Sequence, residues 1–530
     1  DGPLSVTING VPAADALGKP AQVIDDEDGL GQRAYWVRGA TLTADGAYTV
    51  EVTLGTEKTV AHWRVFGGDR PRRAKNVILF IGDGLSQAHR TAARMLSKGI
   101  KAGVYGGELA IDDMPAMALV STAGADSIIT DSANSMTAYT TGYKTCVNAI
   151  AVLCANNRSP RDHPKVETLG ELVKRKTKLA LGVVTNTEIE DATPAAMVAH
   201  TRQRADYDAI AAMFLDLKPD VVLGGGLAHF LPKSDSDSQR HDDRDIVQGF
   251  RDADYAYATT NTELKALASR PETRQLLGLF NRGNIDGALD RKFLKKGTVA
   301  RYPDQPDLVD QVRAALDVLA RDDDGFVLMV ESGRIDKYSH SLDWERAVYD
   351  TIMLDDAIAA AKEFAGPRHD TLIVVVADHT HPISLVGIYD DGQPGDRLRD
   401  KLAVYADAGF PNYPPPDAGG YPATVDVSRR LAMVFAVYPD YCDKGKPSLG
   451  GERQPTVLGP DGKTYVANPE TCEASAVRRA GLLPITAGSG VHAGEDAILT
   501  AMGPGSEAFH GHMPNTRVFQ VLATALGLGR

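Results

Sequence analysis

Five short stretches of this chain carry side chains that could do chemistry together. Asp336-Lys337-Tyr338-Ser339-His340 sets a carboxylate and an imidazole four residues apart. If the stretch begins a helix, both lie on one face at a spacing suited to two ligands of one metal. Glu331 stands five residues earlier, and Asp378-His379-Thr380-His381 follows an apolar run. Asp131-Ser132-Ala133-Asn134-Ser135 precedes a helical pattern over Met136 to Lys144, which places Ser132 at a helix start. A serine there is ordinarily an N-cap. The positive helix end and its free N–H groups would equally suit a nucleophile that becomes phosphorylated. Asp191-Ala192-Thr193-Pro194 with Arg204, and His492-Ala493-Gly494-Glu495-Asp496, complete the set. Each has an ordinary reading alone, as a capped turn or a surface pair.

The elements that must position them are legible as well. Val77 to Ile81, Leu179 to Thr185, Phe326 to Val330 and Leu372 to Ala377 are nearly continuous apolar runs, as strands buried on both faces require. Helix-patterned segments lie between them: Gln87 to Leu96, Val166 to Lys174, Asp206 to Leu217, Leu308 to Leu319 and Trp344 to Phe364. This order predicts an α/β fold, a mostly parallel central sheet flanked by helices, with ligands at the carboxyl ends of the strands. Three of those ends carry Asp83, Glu331 and Asp378.

Ahead of Lys75 the pattern is different. Leu4 to Ile8 alternates, and Tyr48 to Leu54 and Val60 to Phe66 flank a turn as a hairpin would. We expect a small all-β N-terminal module and linker over 1–70, closed by Gly67-Gly68-Asp69 and the basic Arg70-Pro71-Arg72-Arg73, then an α/β domain over 71–530. Two stretches break the alternation, about 227–304 and about 387–486, and are expected to be insertions.

The formal charge of −13 over 530 residues argues against a nucleic-acid backbone as the main partner. No apolar run approaches the roughly 18 residues of a membrane span. The chain opens on Asp1 without an initiator Met or apolar leader, which carries the expectation that a targeting segment has been removed. The four cysteines fall into two local, loop-borne pairs, Cys146 with Cys154 and Cys442 with Cys472. Neither pair has the companion ligands of a zinc site, so both are expected to be disulfides formed in the periplasm or outside the cell.

Taken together and in order, the motifs resemble the alkaline phosphatase family along nearly all of Lys75 to Gly529. The resemblance rests on Lys75-Asn76-Val77-Ile78-Leu79-Phe80-Ile81-Gly82-Asp83-Gly84, Asp131-Ser132-Ala133, Asp191-Ala192-Thr193-Pro194-Ala195-Ala196, Glu331 with Ile335-Asp336-Lys337 and His340, Ala377-Asp378-His379, and His492-Ala493-Gly494-Glu495-Asp496. It implies hydrolysis of phosphate monoesters to inorganic phosphate and an alcohol, through a phosphoserine at Ser132, with two zinc ions and one magnesium ion. Asp336, His340 and His492 would bind the first zinc, and Asp83, Asp378 and His379 the second. Asp83 would bridge to magnesium, completed by Thr193, Glu331 and water. Arg204 would hold the phosphate, oriented by Asp131, and His381 would support the site without ligating. Asp191 and Lys337 mark the bacterial, magnesium-using form among family members that otherwise carry His there. Homodimers are common in the family.

The alternatives are less well served. Related phosphodiesterases typically present a threonine nucleophile and lack the magnesium triad, and a sulfatase needs Cys/Ser-x-Pro-x-Arg around its nucleophile. A catalytically dead binding protein would not be expected to retain every ligand.

Overall fold

The computed structural model describes residues 2–26, 31, 33–66, 71–154 and 159–528. Its centre is a ten-stranded sheet. In spatial order the strands are Ala256–Ala258, Leu276–Leu279, Val221–Gly225, Ala180–Glu188, Phe326–Ser332, Asn76–Gly82, Thr371–Val376, Ala497–Met502, Ala116–Ser121 and His510–Pro514. Neighbours run parallel except where Ala497–Met502 pairs antiparallel on both sides. The three central strands are buried along their whole length, which is why their sequences read as unbroken apolar runs.

The helices Gln87–Lys98, Leu169–Lys176, Tyr207–Leu217, Leu308–Leu319 and Trp344–Ala365 lie on the segments expected to be helical, except that the second begins three residues later than expected, where Thr168 caps it, and the third one residue later, after Asp206. One expected helix starts earlier than its apolar pattern. It spans Ser132–Thr141 because Asp131 caps it, accepting from the Asn134 N–H, while Asn134 Oδ1 accepts from the Asp131 N–H at 2.9 Å. The N-cap is therefore Asp131, and Ser132 is the first helical residue.

The segment expected as an insertion at 227–304 contributes the edge strand Ala256–Ala258 and its neighbour Leu276–Leu279 to the main sheet. Strands of three and four residues are too short to show a period. The 387–486 stretch holds most of a three-stranded antiparallel sheet, Leu402–Ala403, Ile383–Asp390 and Arg429–Phe435, besides short two-stranded ladders. Arg346 staples both segments to the body: its buried guanidinium meets Asp290 at 2.7 and 2.9 Å, Asp343 at 2.8 Å and the Ser448 carbonyl at 2.8 Å.

The N-terminal region forms a four-stranded antiparallel sheet, Val11–Pro12, Leu4–Ile8, Gly46–Leu54 and Glu57–Val65, over a small core of Ile8, Ala13 and Val50. The expected turn at Gly67-Gly68-Asp69 and Arg70 of the linker lie outside the described residues. Cys146–Cys154 and Cys442–Cys472 are disulfides. Among the described residues, no helix is long and apolar enough to cross a membrane.

Candidate active site

Three strand ends and one helix start meet at the carboxyl edge of the sheet. Asn76–Gly82 runs into Asp83, Phe326–Ser332 carries Glu331, and Thr371–Val376 leads through Ala377 to Asp378 and His379. Gly84 makes the close approach possible. It has a φ of +66°, its N–H donates to Asp378 Oδ1 at 3.1 Å, and a Cβ there would stand 2.7 Å from the His381 ring.

The candidate ligands fall into two groups, Asp83 with Asp378 and His379, and Asp336 with His340, His381 and His492; within each, one atom per residue lies within 4.8 Å of the others. His379 Nε2 is 3.2 Å from Asp83 Oδ1 and 3.4 Å from Asp378 Oδ2. Asp336 Oδ1 lies 2.6 Å from His381 Nε2 and 3.3 Å from the Nε2 atoms of His340 and His492. Asp336 and His340 share the helix Arg334–His340, as their spacing anticipates.

The hydrogen bonds on the far side of the rings decide what the near side offers. His340 Nδ1 is 2.7 Å from the Gly490 carbonyl and His492 Nδ1 is 2.8 Å from the Thr130 carbonyl. A carbonyl only accepts, so both rings donate through Nδ1 and a neutral ring turns its Nε2 lone pair inward. Burial and then His379 push His492 down to about 4, which keeps it neutral. Its Nε2 faces His340 Nε2 at 3.1 Å. Convergent imidazole nitrogens beside a carboxylate fit a divalent cation of borderline softness.

The other group also suits a cation. Burial, followed by Asp378 and Asp336, pushes Asp83 up to about 8. Burial, followed by Asp83 and Asp191, pushes Glu331 up to about 8, although Glu331 Oε2 accepts from Thr187 Oγ1 at 2.9 Å and from Thr185 Oγ1. Asp378 Oδ2 and Thr193 Oγ1 are buried without a hydrogen bond. Crowded carboxylates and an orphaned hydroxyl are the hard oxygen donors a magnesium-like ion takes. His379 is pushed up to about 10, because Asp378 and Asp83 outweigh the effect of its burial.

Ser132 faces this cluster, with Oγ 3.4 and 3.5 Å from the Asp83 oxygens and 3.2 Å from His379 Nε2. Beside it, Asp191 grips two cations, Arg204 at 2.7 Å and Lys337 at 2.6 Å. Burial would raise the Asp191 carboxyl, but Lys337 and Arg204 hold it below the usual carboxylate range. Asp131, expected to orient Arg204, stands 3.5 Å from it, so Asp191 is its nearer partner.

Sequence reasoning left three contributors unnamed. Ser86 Oγ donates to the His381 carbonyl at 2.7 Å and accepts from the His381 N–H at 2.8 Å, bracing the Asp378–His381 turn. His89, in the same capping turn, is buried with Nε2 3.2 Å from Ser339 Oγ, beneath the helix of Asp336. Tyr139 Oη donates to the Ala377 carbonyl at 2.7 Å. The Ser86 to His89 spacing of a capping box was the only available signal.

An open α/β sheet with a serine at a helix start, a clamped arginine and two His/carboxylate clusters defines a metal-dependent hydrolase of anionic esters. Comparison makes it specific: the alkaline phosphatase family description matches residues 74–528, and the chain belongs to that family. It is 31% identical over 494 residues to the tissue-nonspecific alkaline phosphatase of Gallus gallus, covering 86% of this chain and 85% of that protein. Alkaline phosphatase 3 of Bacillus subtilis is 30% identical over 471 residues, with 85% and 89% covered. The crystal structure of Thermus thermophilus alkaline phosphatase superposes with a TM-score of 0.63 at 26% identity, covering 87% of this chain and 93% of that one. The chain is thus a hydrolase of phosphate monoesters that works with divalent metal ions.

Proposed function

We propose that Ser132 is the nucleophile, that Arg204 holds the phosphate, and that two zinc ions and one magnesium ion serve the site. The observation that carries this reading is the position of Ser132 Oγ, at a helix start, facing Asp83 and His379 with the Asp191-clamped Arg204 alongside. Asp336, His340 and His492 would hold the first zinc, Asp83, Asp378 and His379 the second, and Asp83, Thr193 and Glu331 the magnesium. Such ions supply Lewis acidity to phosphoryl oxygens and make a hydroxyl easier to ionise.

This chain's own groups do the rest. The Arg204 fork takes two non-bridging oxygens and sets phosphorus before Ser132. The Ser132 Oγ–P bond forms as the P–O bond to the alcohol breaks, and the N–H groups of the first turn of Ser132–Thr141 stabilise the phosphoserine. Water then cleaves the Oγ–P bond and releases phosphate. Acid-trapped enzyme is expected to carry labelled phosphate on Ser132, and Ser132→Ala to lose the label and roughly 10³-fold or more in kcat. Label on any other residue would refute the assignment. Elemental analysis giving other than two zinc and one magnesium per chain would refute the metal count.

The same reading includes export, supported by the two disulfides, and a homodimer, supported by family membership and by exposed Met117, Leu119 and Ile128 near one end of the sheet. Four free thiols in protein from its native compartment, or a sedimentation mass of one chain, would remove these parts. The division into a β module over 1–70 and a catalytic domain over 71–530 is supported by the module's separate core. Loss of monoesterase activity on cleavage near residue 70 would argue against it.

A further inference from the structure

A polar cavity of about 450 Å³ opens beside Glu188, the last residue of the strand Ala180–Glu188, and Arg334, the first residue of the helix Arg334–His340. It therefore lies on the same edge of the sheet as Ser132. The two segments that interrupt the α/β alternation complete it, with Gln239, Arg282 and Asn284 from one and Glu452 from the other.

The cavity adjoins the phosphate end of the site. Arg334 and Lys337 are i,i+3 neighbours on one helix face. The Asp191 N–H donates to the Glu188 carbonyl at 3.1 Å, and the Glu188 carboxyl lies within the fields of Asp191, Lys337 and Arg334. The cavity thus begins one helical turn from Lys337 and three residues from Asp191, the carboxylate that holds Arg204.

The hydrogen bonds of the wall tell which groups are already committed. Arg301 is on Asp237 at 2.7 Å, Arg334 is 3.4 Å from Glu452, Asp290 is taken by Arg346, and Asp286 by Thr298 and Gln305. Arg282 spends Nε on the Asp237 carbonyl at 2.8 Å, and Asn284 spends Oδ1 on the Glu188 N–H at 3.2 Å. Among the described residues no hydrogen bond occupies the Glu188 carboxylate, the terminal nitrogens of Arg282, Asn284 Nδ2 or the Gln239 amide. A free carboxylate, guanidinium nitrogens of Arg282 and Arg334 without a partner, and two amides suit hydroxyls, which donate to the first and accept from the others. A carboxylate accepts from two adjacent hydroxyl groups, whereas it would repel a second phosphate. The volume is in the range of small-molecule sites, and Tyr302 is the one aromatic residue among the described residues of its wall.

We propose that this cavity receives the hydroxyl-rich alcohol part of the substrate, so that sugar and polyol phosphates are preferred to simple alkyl phosphates, with Glu188 and Arg282 as the specificity-determining residues. The proposal rests on the Ser132 reading above and adds a substrate class to it. Glucose 6-phosphate and ethyl phosphate, both esters of primary alcohols, match the chemistry at phosphorus while differing in what the cavity can hold.

The wild-type ratio of kcat/KM for the sugar ester over the ethyl ester is expected to exceed about tenfold. Glu188→Gln and Arg282→Gln are each expected to lower that ratio about tenfold, the size of a lost hydrogen bond to a charged group. A wild-type ratio near one, or a ratio moved by neither variant, overturns the proposal. Equal losses on both esters also overturn it, since the residues would then act at the phosphate. A metal-loaded wild type that hydrolyses neither ester would instead strike down the Ser132 reading, and the proposal with it.

Discussion

At the scale of single residues, Asp191 joins the two cations beside Ser132, as Asp336 joins three imidazoles. The two oxygens of Asp191 hold Arg204 and Lys337, and through Arg204 the chain of charge continues to Asp131. Lys337 therefore pairs with a buried carboxylate at the site, not with one on the surface. A cation held there strengthens the binding of a dianionic product, at the cost of slower release. Lys337→His is expected to weaken competitive inhibition by inorganic phosphate by about tenfold, the loss of one charge-assisted contact. Inhibition constants unchanged at fixed metal loading and ionic strength would show that Lys337 serves only to neutralise Asp191.

At the scale of elements, the loop closed by Cys146–Cys154 does more than shorten the unfolded chain. The Asn148 N–H donates to Asp131 Oδ2 at 3.0 Å, and the Asn148 carbonyl accepts from the Arg204 N–H at 2.9 Å. This loop links the cap of the Ser132 helix to Arg204, the two parts of the site proposed to attack and to hold the phosphate. Its cysteines are eight residues apart and those of Cys442–Cys472 thirty apart, so chain entropy predicts roughly 2.5 and 3.6 kcal/mol of stabilisation. Replacing Cys146 and Cys154 by Ala is expected to lower the unfolding free energy by about that amount and also to raise KM for a monoester. Replacing Cys442 and Cys472 is expected to affect denaturant unfolding more than KM. Equal effects of the two double variants on KM would separate the first loop from the site.

At the scale of the whole molecule, an acidic chain gathers Asp83, Asp336, Asp378 and Glu331 into one buried region. Carboxylates so placed repel one another in a medium that screens them poorly, and bound divalent cations reverse the sign of that interaction. Metal binding is therefore expected to contribute to stability as well as to turnover. Stripping with a chelator should abolish hydrolysis and lower Tm, by the equivalent of about 3 kcal/mol where the free ion stood near 100 times its Kd. Adding zinc and magnesium back should restore both. A Tm indifferent to chelation, measured on protein shown to be metal-free, would mean that the folded apo site bears its charges without help.

Much of this was readable before any fold was known, because the physics involved is local. Buried parallel strands need unbroken apolar runs, so Val77 to Ile81 and Leu372 to Ala377 announced themselves, and the strand-end carboxylates Asp83, Glu331 and Asp378 were marked by position. The Asp336 and His340 pairing followed from one helical turn. What the sequence could not determine were relations between residues far apart in the chain. Asp191, rather than Asp131, is the nearer partner of Arg204, and it holds Lys337 as well, because three elements place those side chains around one carboxylate. The orientation of His340 and His492 depends on carbonyls at Gly490 and Thr130, each more than a hundred residues away. The strands Ala256–Ala258 and Leu276–Leu279 are too short to carry a period, and the sheet they join is what makes them strands. Local periodicity is written in neighbouring residues, whereas the choice among competing partners for a charge or a lone pair is made only when packing brings the candidates together.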